Sequence, residues 1–430
     1  MRQGASGAGE DRFERSLAYR QRALRHLAHG VSSTPRASQR PTPIAIARAE
    51  GAHLVDIDGA RYVDYALGYG PLILGHTPPG VIAAVTAALS AGLRAASIHT
   101  DEAALAEAMA AAMPGAEMTG FVSTGTEAVL LALRIARATT GRTRIVKFRA
   151  NYHGWSDTVG LGNAIGDDGP AALGQDPAAS ASVTLLDWGD AGEVEAALDS
   201  SYAAVLVEPA AINGGCFAPP PGFLERLRAA TSRHGVVLIF DEVITGFRLG
   251  LGGAQGRYGV TPDLSVLGKA LAAGLPIGAV SGTRAAMEVL ASGRLLHRGT
   301  FNGNPLSMAA GLACLNELSR SAATIYPRMD AFAARLADRL NHAAAKAAVG
   351  LQARALGAAL QIFAAASPVV TLRDTARVDR DATLRFTGEL LREGVFALPR
   401  GLCYLSSAHD EDDILRTETA IDAAVARFAA

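Results

Sequence analysis

The chain has 430 residues, with 40 basic and 41 acidic side chains and a formal net charge of −1. That balance gives no electrostatic drive toward nucleic acid or an anionic membrane surface, so small molecules are the expected partners, and the length suggests one large domain plus a smaller one. Three widely spaced cysteines, Cys216, Cys314 and Cys403, form neither a disulfide framework nor a metal-ligand spacing, which fits a reducing cytoplasm.

Met1 to Glu10 is small and polar, lacks an apolar core of signal-peptide length, and is expected to be a frayed tail. Asp11 to His29 has helical periodicity and Gly30 supplies a stop. Ser33-Thr34-Pro35-Arg36 is proline-broken and is expected to be irregular. Pro43 to Arg48, Leu54 to Ile57 and Arg61 to Tyr65 read as strands, the last two joined at Asp58-Gly59, a hairpin signal. Tyr69 to His76 is too rich in glycine for a helix, and Val81 to Leu93 is periodic enough to be one.

From Phe121 onward apolar runs alternate with helical periods, the pattern of a mostly parallel α/β sheet. The candidate strands are Phe121-Val122, Ile145 to Phe148, Ala204 to Val207, Val236 to Phe240, Leu264 to Leu267 and Ile277 to Val280. Between Trp155 and Ser180 five glycines mark a long stretch without a periodic pattern, expected to be a lid or disordered. A long helical region follows Asn304-Pro305 to about Ala348, and Leu360 to Phe363 and Val395 to Leu398 read as strands of a second, smaller domain. The last helix carries Asp410, Glu411, Asp412 and Asp413 at its positive amino end. No apolar run approaches the roughly 18 residues of a membrane span.

Chemistry-bearing residues gather at the ends of these strands. Ser123-Thr124-Gly125-Thr126-Glu127 opens a helix after a strand, which makes an anion site suited to phosphate, although Thr124 or Thr126 could equally be an N-cap. Tyr152-His153-Gly154 supplies an aromatic that could stack on a flat ligand, or could simply pack. Glu208 and Asp241 place carboxylates at two strand ends, and no histidine spacing beside them supports a metal. Lys269 ends an apolar strand, where an ammonium is costly unless it snorkels to water, loses its charge or is used covalently. Pyridoxal 5′-phosphate explains all four features together. Its phosphate needs the helix start, its aldehyde condenses with Lys269, and its ring nitrogen needs a proton that Asp241 can hold.

These residues resemble the class III aminotransferases, which share pyridoxal-phosphate fold type I. The resemblance runs from about Gly30 to the carboxyl end through Thr124-Gly125-Thr126-Glu127, Tyr152-His153-Gly154, Glu208-Pro209, the block Phe240 to Arg248, and Lys269 at the Schiff-base position. It implies a mostly parallel central sheet in a large domain (66–304) and a small α+β domain built from both termini (11–65 and 305–430). It also implies a cytoplasmic homodimer in which Thr300 reaches the partner's cofactor phosphate, with no nucleic-acid or membrane partner.

Within the family the chain is similar to the glutamate-1-semialdehyde 2,1-aminomutase branch, through Gly70 to His76 and Leu251 to Gln255. By that likeness Ser33 and Arg36 match a serine and an arginine that grip the substrate carboxylate, and Asn213 and Val243 sit near the cofactor. Three features depart from the aminomutases: Tyr69 stands where they have a tryptophan, the stretch between Pro399 and Ser406 is shortened, and Arg400 stands in the region that lacks their glutamate. A second arginine resembles the β-amino-acid transaminases of the same branch. The expected reaction is transfer of an amino group from a carboxylate-bearing amino donor (an α-, β- or ω-amino acid) to a 2-oxo acid acceptor through Lys269 and Asp241. The alternative is intramolecular amino transfer, and a cofactor-binding regulator is disfavoured because no DNA-binding module is present.

Overall fold

The alternating pattern after Phe121 resolves into a seven-stranded sheet in the computed structural model, which describes residues 11–94, 97–170 and 172–430. The expected tail, Met1 to Glu10, lies outside the described residues. In chain order the strands are β1 (Ile46–Glu50), β2 (His53–Asp56), β3 (Arg61–Asp64), β4 (Met118–Val122), β5 (Arg144–Phe148), β6 (Val183–Leu186) and β7 (Tyr202–Val207). They continue as β8 (Val237–Asp241), β9 (Leu264–Leu267), β10 (Gly278–Gly282), β11 (Leu351–Ala355), β12 (Ala359–Ala364), β13 (Val395–Phe396) and β14 (Leu402–Tyr404).

The large sheet has the order β4-β10-β9-β8-β7-β5-β6. Pairings β5–β6, β5–β7, β7–β8 and β8–β9 are parallel, whereas β10 runs antiparallel to both β9 and β4. All six residues of β7 are buried, because apolar clusters cover both faces of the sheet. One face is covered by helix Gly125–Thr140 and the other by helices Ala191–Ala197 and Phe223–His234. The parallel strands therefore deliver their carboxyl ends to a single edge.

Two smaller sheets flank it. One has the order β1-β2-β3-β13, in which β13 pairs in parallel with β3 and so joins the carboxyl-terminal part of the chain to the amino-terminal part. The other is β11-β12-β14. A 42-residue helix, Pro305–Lys346, packs against β11 and β12 and buries Leu315, Leu318, Met329, Leu336 and Leu340 in the largest apolar cluster. Asn304 caps it by accepting from the Leu306 N–H, and Pro305 occupies the first turn, where its missing N–H costs nothing. Among the described residues no helix is long and apolar enough to cross a membrane.

Several local expectations are corrected. The amino-terminal helix is α-helical only over Glu14–Ala23, and Thr34–Ser38 closes into a 3-10 turn instead of remaining irregular. Strands β6, β11 and β14 carried no clear signal: β6 is mostly half-buried, β11 contains Gln352 and Arg354, and β14 has three residues. The stretch from Trp155 to Ser180 is not structureless. It folds back through the bridges Leu161–Pro170 and Ala164–Asp167 and ends in a 3-10 turn at Pro177–Ser180.

One buried cation fastens the large sheet's flank to the smaller sheets. Arg248 is 1% exposed. It donates to the carbonyls of Ala358 (3.2 Å), Leu405 (3.0 Å) and Gly70, and lies 4.8 Å from the centroid of the Tyr404 ring. A guanidinium carries five donors in a planar fork, so it can bond carbonyls from three separate segments at once. Because Gly70 is one of them, the same contact sets the loop that carries Tyr69. Gly70 has φ +100°, and a Cβ there would press on the Tyr404 ring at 3.0 Å, so the turn requires glycine.

Candidate active site

Five strand ends build the site. Ser123 to Thr126 follow β4, Asn151 to Gly154 follow β5, Glu208 follows β7, Asp241 is the last residue of β8, and Lys269 lies just beyond β9. Thr124, Gly125, Thr126, Tyr152, His153, Glu208, Asp241, Val243 and Lys269 all line one cleft.

At the helix start the cap reading holds at Thr124, and the first turn beside it keeps the N–H groups that an anion would need. Thr124 is the N-cap: its hydroxyl accepts from the Glu127 N–H (3.2 Å), while Glu127 accepts in return from the N–H groups of Ser123 (2.8 Å) and Thr124 (3.0 Å). The Thr124 hydroxyl accepts there with one lone pair and keeps its O–H to donate. What faces the cleft is the first turn at Gly125 and Thr126, whose N–H groups have no intrahelical acceptor. Gly154 (φ +92°) lets the next loop lie against this turn, since a Cβ there would come within 2.5 Å of the Thr126 hydroxyl.

Asp241 is 5% exposed and is held on both oxygens. Its Oδ2 pairs with His153 Nδ1 at 2.7 Å, and its Oδ1 accepts from the Val243 N–H at 3.0 Å. Burial drives the His153 imidazole below its ordinary value, the Asp241 carboxylate opposes that, and Lys147 adds to it. Glu208 accepts from the Tyr152 N–H at 2.7 Å. Burial, then repulsion from Asp241, pushes its carboxyl up to about 8.

Lys269 begins a 3-10 turn with φ +40°, a left-handed backbone that L-residues adopt only under constraint. Burial pushes its ammonium down to about 8; Asp241 and Glu208 oppose this, and the guanidiniums of Arg400 and Arg248 favour it. The sequence expectation of a semi-buried lysine sharing an edge with a carboxylate is realised in this geometry.

The cleft suits pyridoxal 5′-phosphate on its own chemistry. A helix start with free N–H groups, a carboxylate with remaining lone pairs, an amine of lowered basicity and the ring of Tyr152 meet in one space. Gly125 keeps the floor open beside Val243, whose Cγ2 would lie 3.2 Å from an added Cβ.

The remaining expected residues lie outside this cleft. Asn213 and Arg400 line a second, more polar space, where Arg400 donates to the Asn213 carbonyl (3.1 Å) and to its side-chain oxygen (2.7 Å). Arg36 and Tyr69 line a third, largely apolar space, which shares Gly68 with the cofactor cleft and Pro399 with the second space. The Tyr69 hydroxyl is raised by burial and lowered by both Arg36 and Arg400. Ser33 and Thr300 are exposed and line none of the three. The sequence reading passed over Lys147, although a lysine inside the apolar run Ile145 to Phe148 was its signal.

Comparison with known proteins agrees with this geometry. The family profile described as Aminotransferase class-III matches residues 34–409. The chain is 40% identical over 427 residues to a glutamate-1-semialdehyde 2,1-aminomutase of Desulfosudis oleivorans, covering 96% of this chain and 99% of the relative. It is similar to the crystal structure of an omega-transaminase from Sphaerobacter thermophilus, with TM-score 0.89, 32% identity and 99% of each chain covered. A glutamate-1-semialdehyde aminomutase from Pseudomonas aeruginosa in complex with PMP matches with TM-score 0.89 and 26% identity, over 97% of this chain and 96% of that one. The profile runs across most of the chain and these relatives extend over nearly all of it, so the chain belongs to the class III aminotransferases, pyridoxal 5′-phosphate-dependent enzymes of fold type I.

Proposed function

We propose that this enzyme is a transaminase that moves an amino group from a carboxylate-bearing amino compound to a 2-oxo acid, using Lys269 as the cofactor-binding lysine. The observation that carries this reading is the placement of two guanidiniums in adjoining spaces that share Pro399, Arg36 beside Tyr69 in the space next to the cofactor cleft and Arg400 in the other. Arginine recognises a carboxylate through two parallel hydrogen bonds, and a donor and an acceptor that alternate in one site present two carboxylates to be held. Intramolecular amino transfer is the second reading, favoured by the 40% identity to a curated aminomutase.

When bound, pyridoxal 5′-phosphate supplies an aldehyde carbon that exchanges one amine nitrogen for another and a protonated ring that draws off the electrons left by a departing proton. The protein's part follows from the site. Gly125 and Thr126 would hold the phosphate by their N–H groups, and Asp241, kept in place by His153, would hold the proton on the ring nitrogen. Tyr152 and Val243 would flank the ring and Glu208 would border it, whereas Asn213 lies in the adjoining space, held by Arg400. Lys269, whose ammonium burial lowers to about 8, would be the group that accepts and returns the substrate's proton once the cofactor is bound. Arg36, beside Tyr69, and Arg400, in the adjoining space, would each orient the carboxylate of one substrate.

The same reading divides the chain into a large unit of residues 66–304 and a small one of 11–65 and 305–430, a division supported by the β3–β13 pairing. It places the enzyme in the cytoplasm, in keeping with three free, buried cysteines. It also makes the enzyme a homodimer, because Thr300 and its 68%-exposed neighbour Phe301 lie on an outward loop suited to reaching a second chain's phosphate.

Three outcomes are expected. Borohydride reduction of the cofactor-loaded protein tags Lys269, and the rate of cofactor capture rises with pH and levels off above about 8, because the neutral amine is the reactive form and burial lowers the ammonium to that value. A tag on another lysine, or a rate still climbing near the ordinary lysine range, contradicts this. In single-turnover measurements, Arg36→Ala and Arg400→Ala each impair a different half-reaction by about 10- to 150-fold, the loss of one charged bidentate contact. If Arg400→Ala leaves both halves unchanged and no external acceptor is needed, the aminomutase reading replaces the transaminase one. In mixed dimers, Thr300→Ala weakens cofactor binding in the partner's site; weakening confined to the chain that carries the change counts against sharing across the interface.

A further inference from the structure

Lys147 is fully buried in β5, with both neighbouring strands parallel to it, and no assigned step of the chemistry uses it. Its Nζ lies 2.8 Å from the Asn151 carbonyl and 2.7 Å from the Leu161 carbonyl, with Asn163 Oδ1 at 3.4 Å and the carbonyls of Phe148 and Gly162 at 3.5 Å. All five partners are acceptors. A neutral amine would turn a lone pair toward this cage, whereas an ammonium brings three donors to it. Among the described residues no carboxylate is hydrogen-bonded to the amine. The opposite charge it senses is Glu208, and burial takes the ammonium down to about 7.

A buried cation without a bonded counter-ion is costly, and an apolar side chain would fill this strand position at lower cost if sheet packing were the only demand. What distinguishes the position is the set of segments it ties together. The Asn151 carbonyl directly precedes Tyr152. Asn151 Oδ1 accepts from the Glu208 N–H at 2.9 Å, and Glu208 in turn accepts from the Tyr152 N–H at 2.7 Å. The Leu161 and Gly162 carbonyls begin the folded-back strip that the sequence suggested as a lid, and the Ala150 N–H also donates to Gly162 at 2.8 Å. At the far end of the same strip Arg149, two residues along from Lys147, holds Asp168 through two bonds of 2.8 and 2.7 Å. One strand end thus grips the strip at both of its ends, and grips the Tyr152-His153 turn from beneath.

We propose that Lys147 is a positioning residue that locks the Tyr152-His153-Gly154 turn to the strip at residues 161–163, fixing the tilt of the aromatic wall against which the cofactor ring lies. The strip is then a stationary wall, and the inference rests on reading Tyr152 and His153 as that wall.

The test uses the full-length holoenzyme and compares Lys147→Met with Tyr152→Ala. For Lys147→Met the far-ultraviolet circular dichroism is retained, the visible circular dichroism per bound cofactor changes by about twofold or more, and kcat falls about tenfold or more with KM little changed, as misplacement of reacting groups requires. A purely structural role would lower the unfolding midpoint and leave the visible signal per bound cofactor and kcat intact, which overturns the proposal. If Tyr152→Ala leaves the visible signal unchanged, the wall reading itself fails; if Tyr152→Ala alters it and Lys147→Met does not, the role of Lys147 fails. Should Lys147→Met not fold, hydrogen exchange of the native holoenzyme decides. The backbone N–H groups of Tyr152 and His153 exchange through one shared opening with those of residues 161–163 if Lys147 couples them, and through independent openings if it does not.

Discussion

A carboxylate that ends a buried strand has to be held by donors, and at Asp241 the donors come from two directions. The Val243 N–H, two residues on in the same loop, fixes one oxygen, and His153, brought from the end of β5, fixes the other. The second contact is possible only because β7 alone lies between β5 and β8 in the sheet, so their carboxyl ends are close. His153 in turn requires the Tyr152-His153-Gly154 turn, which requires glycine at 154 to clear the helix start. The orientation of Asp241 thus sets the relation between the phosphate end and the amine end of the cleft.

Around this centre the fold accepts several buried charges, each serving geometry. Arg248 ties three carbonyls of distant segments together and, through Gly70, sets the loop that bears Tyr69. Lys147 does the same for the turn bearing Tyr152 and for the strip at 161–163. Glu242 is 0% exposed and accepts from the N–H groups of Ala254 and Gln255, from the Gln255 side chain and from the Thr245 hydroxyl, which anchors the loop following Asp241. Burying such groups is stabilising only when their hydrogen-bonding capacity is filled, so each site is intolerant of partial substitution.

How much of this was legible in the sequence depends on the range of the interaction. Glu208, Asp241 and Lys269 could be placed because an apolar strand followed by a polar residue has one outcome in a parallel sheet, an edge position. Thr124-Gly125-Thr126-Glu127 was legible as a helix start, but the sequence could not divide the N-cap from the anion site, since that depends on where the Thr124 hydroxyl turns. The grip of Arg400 on Asn213 was not legible, because it joins residues 187 positions apart. Strand β10 was read in place but not in direction, since an apolar run has the same pattern parallel or antiparallel when both faces are covered. The strip from 155 to 180 looked structureless because its order comes from isolated bridges within it and from Lys147 and Arg149 outside it, none of which leaves a periodic pattern.

The central claim is that Asp241 at the end of β8 keeps the cofactor ring competent while Lys269 attaches it, two separable duties at one edge. Replacing Asp241 with Asn removes the charge and nearly preserves the shape. Stopped-flow measurement of amine transfer by Asp241→Asn, with attachment at Lys269 followed separately by its absorbance, tests the claim. The account predicts that attachment persists while the transfer rate falls by about 10²- to 10⁴-fold. Transfer within about twofold of the unmodified enzyme would contradict it.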